Sequence, residues 1–194
     1  MTYLAKLVPK RPEYTLRLMR EWDLHVKYIT LTKGNIVEIG CNAGDTTVLY
    51  GTNFPNRQVF AIDWCPDDRS TTMVRAQRGE QTKDIAIKAR HCPNVQVINT
   101  NSRTFDYNTL PDVTFFFIDG DHSYEGVKAD TTAAIAYLQS HSGGYILLHD
   151  YRGDNKYPWM GVYSYVQKEI KLHFEVTERL HTFIAAVKVD PILA

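Results

Sequence analysis

The chain has 194 residues, 44% of them hydrophobic, which suits a single domain with a sizeable core. Lys and Arg together number 22, as do Asp and Glu, so no bulk charge attracts nucleic acid or an anionic membrane. The sequence begins without the apolar run of a signal peptide, and no stretch approaches the ~20 apolar residues that span a bilayer. Three cysteines without a CxxC pair fit reduced thiols, so we expect a cytoplasmic protein.

Hydrophobic periodicity predicts one domain of alternating helices and strands, with a lead-in segment (1–32) and a core (33–190). The lead-in helix is predicted over residues 12–31 from apolar positions at helical spacing: Leu16, Met19, Trp22 or Asp23, Val26 and Ile29. Strands are predicted at 35–39, 58–63, 95–99, 113–119, 145–148, 174–177 and 183–187, the last two as an antiparallel pair. Helices are predicted after residue 45, over 80–90, along 127–138 and near 162–170, with 65–79 as a loop or broken helix. This order favours an α/β, Rossmann-like, doubly wound and mostly parallel seven-stranded sheet with an antiparallel C-terminal edge strand.

The first predicted strand ends in an acid and a turn between two glycines, Gly40 and Gly44. Glycines permit a sharp turn and close approach of a ligand, and the helix N-terminus beyond favours an anion. The spacing is Gly-x-x-x-Gly and lacks the third glycine of the dinucleotide fingerprint, so a plain strand-to-helix turn is the alternative. Glu38 ends an otherwise apolar strand, and its carboxylate therefore needs a partner that offsets desolvation.

The next two strands also end in polar residues. Asp63 stands where nucleotide-binding folds hold a ribose diol, with a capping role as the alternative. Trp64 beside it could stack on an adenine or pack as an ordinary aromatic residue. Asn101 and Ser102 follow the third strand and could reach an adenine edge or simply form a turn.

Two histidines follow the fourth and fifth strands, each beside an acid. His122 lies next to Asp121, and His149 lies next to Asp150. Imidazole titrates near neutrality, so both are candidate bases, although either alone could be structural. Because adjacent strand ends bring them to one edge of the sheet, we expect one of the two to be catalytic.

Together these motifs resemble the class I S-adenosylmethionine-dependent methyltransferases. The resemblance rests on Glu38-x-Gly40-x-x-x-Gly44, Asp63, Asn101-Ser102 and Phe117-Ile118-Asp119-Gly120, in that order. Within that group, residues 118–130 with Gly143-Gly144 and His149-Asp150-Tyr151 are similar to methyltransferase family 24. This branch of small-molecule O-methyltransferases includes enzymes that tailor macrolide sugars, such as macrocin O-methyltransferases, and cephalosporin-hydroxylase-like proteins.

The resemblance implies methyl transfer from S-adenosylmethionine to a small-molecule hydroxyl. It implies cofactor contacts from Glu38, Gly40, Cys41, Asn42, Ala43, Gly44, Asp63, Trp64, Asn101, Ser102, Asp119 and Gly120. As in metal-dependent relatives, Asp119 and Asp150 would bind Mg²⁺ or another divalent metal. His149 stands where relatives often carry a further acid or amide ligand, and imidazole suits zinc, manganese or iron better than magnesium. A metal-free reaction with Asp119, His122 and His149 as catalytic residues stays open.

The acceptor is predicted no further than a small molecule, such as a sugar or an aromatic hydroxyl. The candidate lid segments are the lead-in helix, residues 65–79 and residues 151–165. The aromatic residues of the last segment suit acceptor stacking, core packing or a homodimer contact equally. Lys128 and Asp130, at helical spacing, indicate a solvated or locally paired face.

Three alternatives stay open beside methyl transfer. The absent third glycine argues against a nicotinamide-dependent oxidoreductase. A non-catalytic binding protein on the same scaffold would bind the cofactor without turnover, or would not bind it. A hydroxylase-like member of the branch would need a redox site, which the sequence does not reveal.

Overall fold

The computed structural model describes residues 12–64, 85–152, 161–178 and 181–192, with side chains from residue 16 onward. Its strands are β1 (Asn35–Ile39), β2 (Val59–Asp63), β3 (Val95–Asn99), β4 (Val113–Ile118), β5 (Gly144–Leu148), β6 (Val176–Glu178) and β7 (Ala185–Val189). Its α-helices are α1 (Pro12–Thr30), α2 (Asp45–Asn53), α3 (Tyr124–Ser140) and α4 (Val162–Lys168). Short 3₁₀ helices occur at Ile87–Ala89, Tyr107–Thr109 and Ile170–Leu172.

All of these strands join one sheet in the order β3-β2-β1-β4-β5-β7-β6. The pairs from β3 to β5 are parallel, and β7 runs antiparallel to both of its neighbours. The predicted Rossmann-like, mostly parallel seven-stranded sheet is therefore confirmed. The antiparallel pair β6–β7 is confirmed as well, with β6 at the edge and β7 one place inside it.

Helices cover both faces of the sheet, and this explains why the strands are so apolar. Along β4, Phe116 packs with residues of α3 and α4 on one face. Phe115 and Phe117 pack on the other face with Leu24 of α1 and Tyr50 of α2. Strands that are buried on both faces form apolar runs, as β2 and β4 do, since every residue of both is buried. β1 and β3 have the predicted bounds.

The lead-in helix α1 forms as predicted but buries a different face. Leu16 and Met19 are 53% and 48% exposed. The buried residues recur at helical spacing and are Glu21, Leu24, His25, Tyr28 and Ile29. A pattern of apolar residues misses Glu21 and His25, which are buried because Glu21 accepts from a backbone N–H and His25 bonds to Tyr50.

The predicted helix over 80–90 is described only from residue 85, and there it is wrong. Ala86 has a positive φ of 46° and donates its N–H to the Asn42 carbonyl at 2.7 Å, which leaves only a 3₁₀ turn. Residues 65–79 and most of the candidate lid at 151–165 lie outside the described residues. Among the helices that the structure describes, none combines the length and hydropathy that crossing a membrane requires.

Candidate active site

The glycine loop, residues 40–44, carries the chain from β1 to α2 through left-handed backbone conformations. Gly40 and Gly44 each have a φ of 87°, and Asn42 has a φ of 45°. A Cβ atom at Gly40 would lie 2.3 Å from the carbonyl oxygen of Asp119. Only glycine therefore lets the loop touch the end of β4 in this conformation.

Glu38 lies buried near the end of β1 and has the partner that its burial requires. Thr47 Oγ1 of α2 donates a hydrogen bond to Glu38 Oε2 at 2.5 Å. Burial nevertheless raises the pKa of Glu38 to about 8, against the effect of that hydrogen bond. The carboxyl group is therefore mostly protonated at neutral pH.

We expect Glu38→Gln to change how the stability of the protein depends on pH. Because the folded pKa of Glu38 is about 8 and its ordinary pKa is 4.5, the folded chain binds the extra proton between these values. Ionising this group disfavours the folded state, so stability falls as pH rises, by up to roughly 1.4 kcal/mol per pH unit. Urea unfolding between about pH 5.5 and 7.5 should show that the glutamine variant lacks this decline.

The exposed Glu175 supplies the matched control. Glu175→Gln should keep the wild-type pH dependence, because a solvated carboxylate has little effect on stability in this range. A wild-type slope in the Glu38→Gln protein would contradict the raised pKa of Glu38.

Asp63 lies buried at the end of β2 and joins that strand to the glycine loop. Its Oδ2 accepts a hydrogen bond from the Asn42 N–H at 2.7 Å, and its Oδ1 accepts from the Trp64 N–H at 2.7 Å. The Trp64 side chain is 49% exposed. An acid and an exposed aromatic ring therefore stand beside the loop at the carboxyl edge of the sheet.

Asn101 and Ser102, after β3, make local contacts and one contact with α3. Asn101 Oδ1 accepts from the Arg103 N–H at 3.1 Å, and the Ser102 hydroxyl donates to Asp130 Oδ1 at 2.7 Å. Asp130 is only 1% exposed, so the prediction of a solvated face is wrong there. Lys128 is paired, but with a residue 41 positions away in the sequence: its Nζ lies 3.0 Å from Glu169 Oε1.

The ends of β4 and β5 bring four side chains together: Asp119, His122, His149 and Asp150, here called the His–Asp cluster. Asp119 Oδ1 lies 3.1 Å from His122 Nε2 and 2.9 Å from His149 Nδ1. His122 Nε2 also lies 3.0 Å from Asp150 Oδ2. Two carboxylates and two imidazoles thus converge within one small volume next to the glycine loop.

The charged groups of the His–Asp cluster shift one another's pKa values. Hydrogen bonds to Asp119 and Asp150 raise the pKa of His122 to about 9. Burial lowers the pKa of His149, but the Asp119 carboxylate raises it to about 10 overall. Burial opposes ionisation of Asp119, yet His149 and His122 hold its pKa well below the usual range. Without another cation, the cluster therefore holds two carboxylates and two imidazolium groups at neutral pH.

Further side chains, from α1 and from the residues after β5, surround the cluster, and they were not predicted from the sequence. Glu21 Oε2 of α1 lies 3.8 Å from His149 Nε2, and Arg152 Nη2 donates to Asp150 Oδ1 at 2.7 Å. His25 contacts Tyr50 and packs edge-on against Phe117. The only sequence signal was the pair Glu21 and His25, which share one helix face at a spacing of four residues.

A protein-family model described as a methyltransferase domain matches residues 37–151, more than half of the chain. The chain belongs to this methyltransferase family. The match spans the glycine loop, Asp63 and the complete His–Asp cluster. No functionally curated protein matches the sequence of the methyltransferase.

Solved structures share the fold at low sequence identity. CalS11, a TDP-rhamnose 3'-O-methyltransferase of calicheamicin biosynthesis, is 17% identical with a TM-score of 0.57, over 95% of this chain and 90% of that one. NodS of Bradyrhizobium japonicum, an N-methyltransferase solved with S-adenosyl-l-homocysteine, is 14% identical with a TM-score of 0.61, over 93% and 89%. MycE of the mycinamycin pathway, solved with Mg and SAH, is 11% identical with a TM-score of 0.58, over 90% and 49%.

These findings confirm the predicted resemblance to the class I S-adenosylmethionine-dependent methyltransferases. The methyltransferase brings the residues predicted for the ends of β1, β2, β4 and β5 to one edge of its sheet.

Proposed function

We propose that this methyltransferase moves the methyl group of S-adenosylmethionine to a hydroxyl oxygen of a small molecule, assisted by a divalent metal. The observation that carries the proposal is the His–Asp cluster beside the glycine loop. Carboxylates can hold a metal that orients an acceptor hydroxyl, and an imidazole can accept its proton. Because Gly40 touches Asp119, the cofactor loop and the cluster border the same space.

The residues around the glycine loop fit S-adenosylmethionine, which would supply an electrophilic methyl group when bound. Gly40 and Gly44 let the loop turn sharply and pack against the backbone of Asp119 and Ala86. The buried carboxyls of Glu38 and Asp63 flank it. The residues that we assign to the cofactor are Glu38, Gly40, Cys41, Asn42, Ala43, Gly44, Asp63, Trp64, Asn101, Ser102, Asp119 and Gly120.

We assign proton removal to His122 rather than His149. Its side chain is the more exposed of the two, and its Nε2 lies within 3.1 Å of both carboxylates. As the acceptor oxygen bonds to the methyl carbon and the carbon–sulfur bond breaks, the hydroxyl proton would pass to Nε2 of the neutral imidazole of His122, which must therefore be unprotonated before the step. The carboxylates raise the pKa of His122, and a cation held by them would oppose that effect.

Asp119 and Asp150 are the residues that would hold the divalent metal. Their fit rests on convergence, since Asp119 Oδ1 and Asp150 Oδ2 both lie within 3.1 Å of one nitrogen atom. Arg152 bonds to the other oxygen of Asp150 and fixes its orientation. When bound, the ion would supply positive charge that positions the acceptor hydroxyl and favours its deprotonation.

The first test is calorimetric titration of S-adenosylhomocysteine into the wild-type protein and the Asp63→Ala variant. Micromolar binding to wild type supports the cofactor assignment. The variant should bind more weakly by roughly 1–3 kcal/mol, because buried ribose hydroxyls would lose a charged acceptor. Circular dichroism should show that both proteins are folded.

Asp190→Ala is the matched control, since that side chain is 73% exposed and lies just after β7. It should bind S-adenosylhomocysteine as wild type does. An unchanged affinity in Asp63→Ala would remove that residue from the site. If wild type bound NADH and not S-adenosylhomocysteine, the oxidoreductase alternative would replace methyl transfer, and binding of neither would favour a non-catalytic scaffold.

The acceptor class follows from the same proposal. CalS11 acts on a sugar nucleotide, and we propose a sugar or aromatic hydroxyl for this chain too. Tyr151 packs in the core, whereas the ring of Tyr163, 5.1 Å from it, is 37% exposed and supports an aromatic contact with the acceptor. A cytoplasmic location and a homodimer stay predictions, to be checked by cell fractionation and light scattering.

A further inference from the structure

His149 is engaged by carboxylates on both sides of its ring. Its Nδ1 points into the His–Asp cluster, 2.9 Å from Asp119 Oδ1 and 3.8 Å from Asp150 Oδ2. Its Nε2 points the opposite way, 3.8 Å from Glu21 Oε2. The ring also packs edge-on against Phe117. One nitrogen therefore serves the cluster while the other faces a buried acid.

Glu21 is itself held in place, although it belongs to the lead-in helix. Its Oε1 accepts a hydrogen bond from the Phe183 N–H at 3.0 Å, and Arg17 Nε lies 3.7 Å from the same oxygen. Histidines that bind metals almost always direct their second ring nitrogen to a carboxylate, a carbonyl or water, which fixes the ring. Glu21 lies on the side of His149 where such a carboxylate stands, at 3.8 Å and so somewhat beyond hydrogen-bond distance. Among the described residues, no second carboxylate is placed in this way beside His122.

The distances within the cluster also suit a shared ion. The nitrogen–oxygen separations given above run from 2.9 to 3.8 Å, and the ligand atoms of all four residues lie within 4.8 Å of one another. Ligand atoms that each lie about 2.1 Å from one ion are about 3.0–3.4 Å apart in octahedral or tetrahedral sites. A small adjustment of the side chains would therefore let His149 Nδ1 share an ion with Asp119 and Asp150.

We infer that His149 is a metal ligand through Nδ1, with Glu21 as its positioning residue, and that the site selects a first-row transition ion over Mg²⁺. This deepens the proposed function by naming the class of its metal. Imidazole nitrogen is a good ligand for ions such as Co²⁺, Fe²⁺ and Zn²⁺, whereas Mg²⁺ prefers oxygen and retains several waters. A site in which nitrogen replaces one oxygen ligand should therefore prefer a first-row transition ion to Mg²⁺ more strongly.

The test uses Co²⁺ and Mg²⁺ as separate probes in calorimetric titrations of the metal-free full chain. Wild type should bind Co²⁺ at least about a hundredfold more tightly than Mg²⁺. His149→Asp replaces nitrogen by oxygen and should reduce that ratio by about tenfold or more. His91→Asp makes the same change at an exposed histidine and should leave the ratio unchanged. The visible spectrum of bound Co²⁺ should change in His149→Asp alone.

Glu21→Gln tests the positioning role without removing a ligand. Glutamine keeps an oxygen that can accept from the Phe183 N–H but loses the negative charge that faces His149. Co²⁺ affinity should fall by about 10–100-fold. Glu175→Gln, at an exposed position, should bind Co²⁺ as wild type does.

Titration of S-adenosylhomocysteine in the same variants separates this inference from the proposed function. Normal binding of S-adenosylhomocysteine, together with an unchanged Co²⁺ to Mg²⁺ ratio in His149→Asp, would overturn the ligand role of His149. Wild-type Co²⁺ affinity in Glu21→Gln would overturn the role of Glu21. If wild type did not bind S-adenosylhomocysteine, that result would instead count against the proposed function.

Discussion

Gly40→Ala is expected to destabilise the methyltransferase by about 3 kcal/mol or more and to abolish cofactor binding. Gly40 has a φ of 87°, where an L side chain is strained by roughly 1–2 kcal/mol. The new methyl group would also meet Asp119 O at 2.3 Å and Gly120 Cα at 2.5 Å. Both are backbone atoms, so relief requires the glycine loop and the end of β4 to separate. Urea unfolding and titration of S-adenosylhomocysteine measure the two effects.

Gly120→Ala provides a control on the other side of the same contact. The two nearest atoms to its added Cβ would be side-chain atoms, Asp130 Oδ2 at 3.3 Å and Ile39 Cγ2 at 3.4 Å, and the backbone oxygen of Ile39 would be at an ordinary 3.9 Å. We expect its stability to stay within about 1 kcal/mol of wild type. Equal stability of Gly40→Ala and wild type would show that the loop does not need to touch Asp119.

His122→Gln is expected to lower kcat by about 10²–10⁴-fold, the usual contribution of a general base. Glutamine can still donate a hydrogen bond toward Asp119 or Asp150 but cannot accept the hydroxyl proton at neutral pH. Affinity for S-adenosylhomocysteine should stay within about twofold, because His122 is not among the assigned cofactor residues. The rate is followed by transfer of a labelled methyl group to an acceptor found in a panel of sugars and phenols.

His141→Gln is the matched histidine control. His141 stacks on Tyr137 at the end of α3, away from the cluster. Its kcat should equal that of wild type. If His122→Gln raised KM and left kcat unchanged, His122 would bind the acceptor and another group would take the proton.

The strands and the His–Asp cluster were predictable for a shared physical reason. Parallel strands buried on both faces are continuous apolar runs, and their carboxyl ends meet at one edge. Acids and histidines that directly follow β4 and β5 must therefore lie close together. The partner of Glu38 was predictable in kind, since a buried carboxyl requires one, but its identity as Thr47 depended on how α2 packs.

The polar residues of the helices were not predictable in the same way. Glu21 is buried because it contacts Phe183, 162 positions away in the sequence. Asp130 is buried where Ser102, from the loop after β3, donates a hydrogen bond to it. Such partners are set by tertiary packing, and helical periodicity counts these acids as solvent-facing. Sequence patterns therefore located the polar residues at the carboxyl edge of the sheet. They did not locate the buried acids of the helices that pack against that edge.

The position of β7 has a consequence for synthesis of the protein. β6 precedes β7 in the chain but lies beyond it in the sheet, so β6 has no neighbour until residues 185–189 have been made. Until then, β5 presents an uncovered row of backbone N–H and C=O groups. Open strand edges recruit other chains, and nascent chains are exposed for seconds on the ribosome. A chain that ends before residue 185 would thus have β5 as an open edge of the sheet, which favours aggregation.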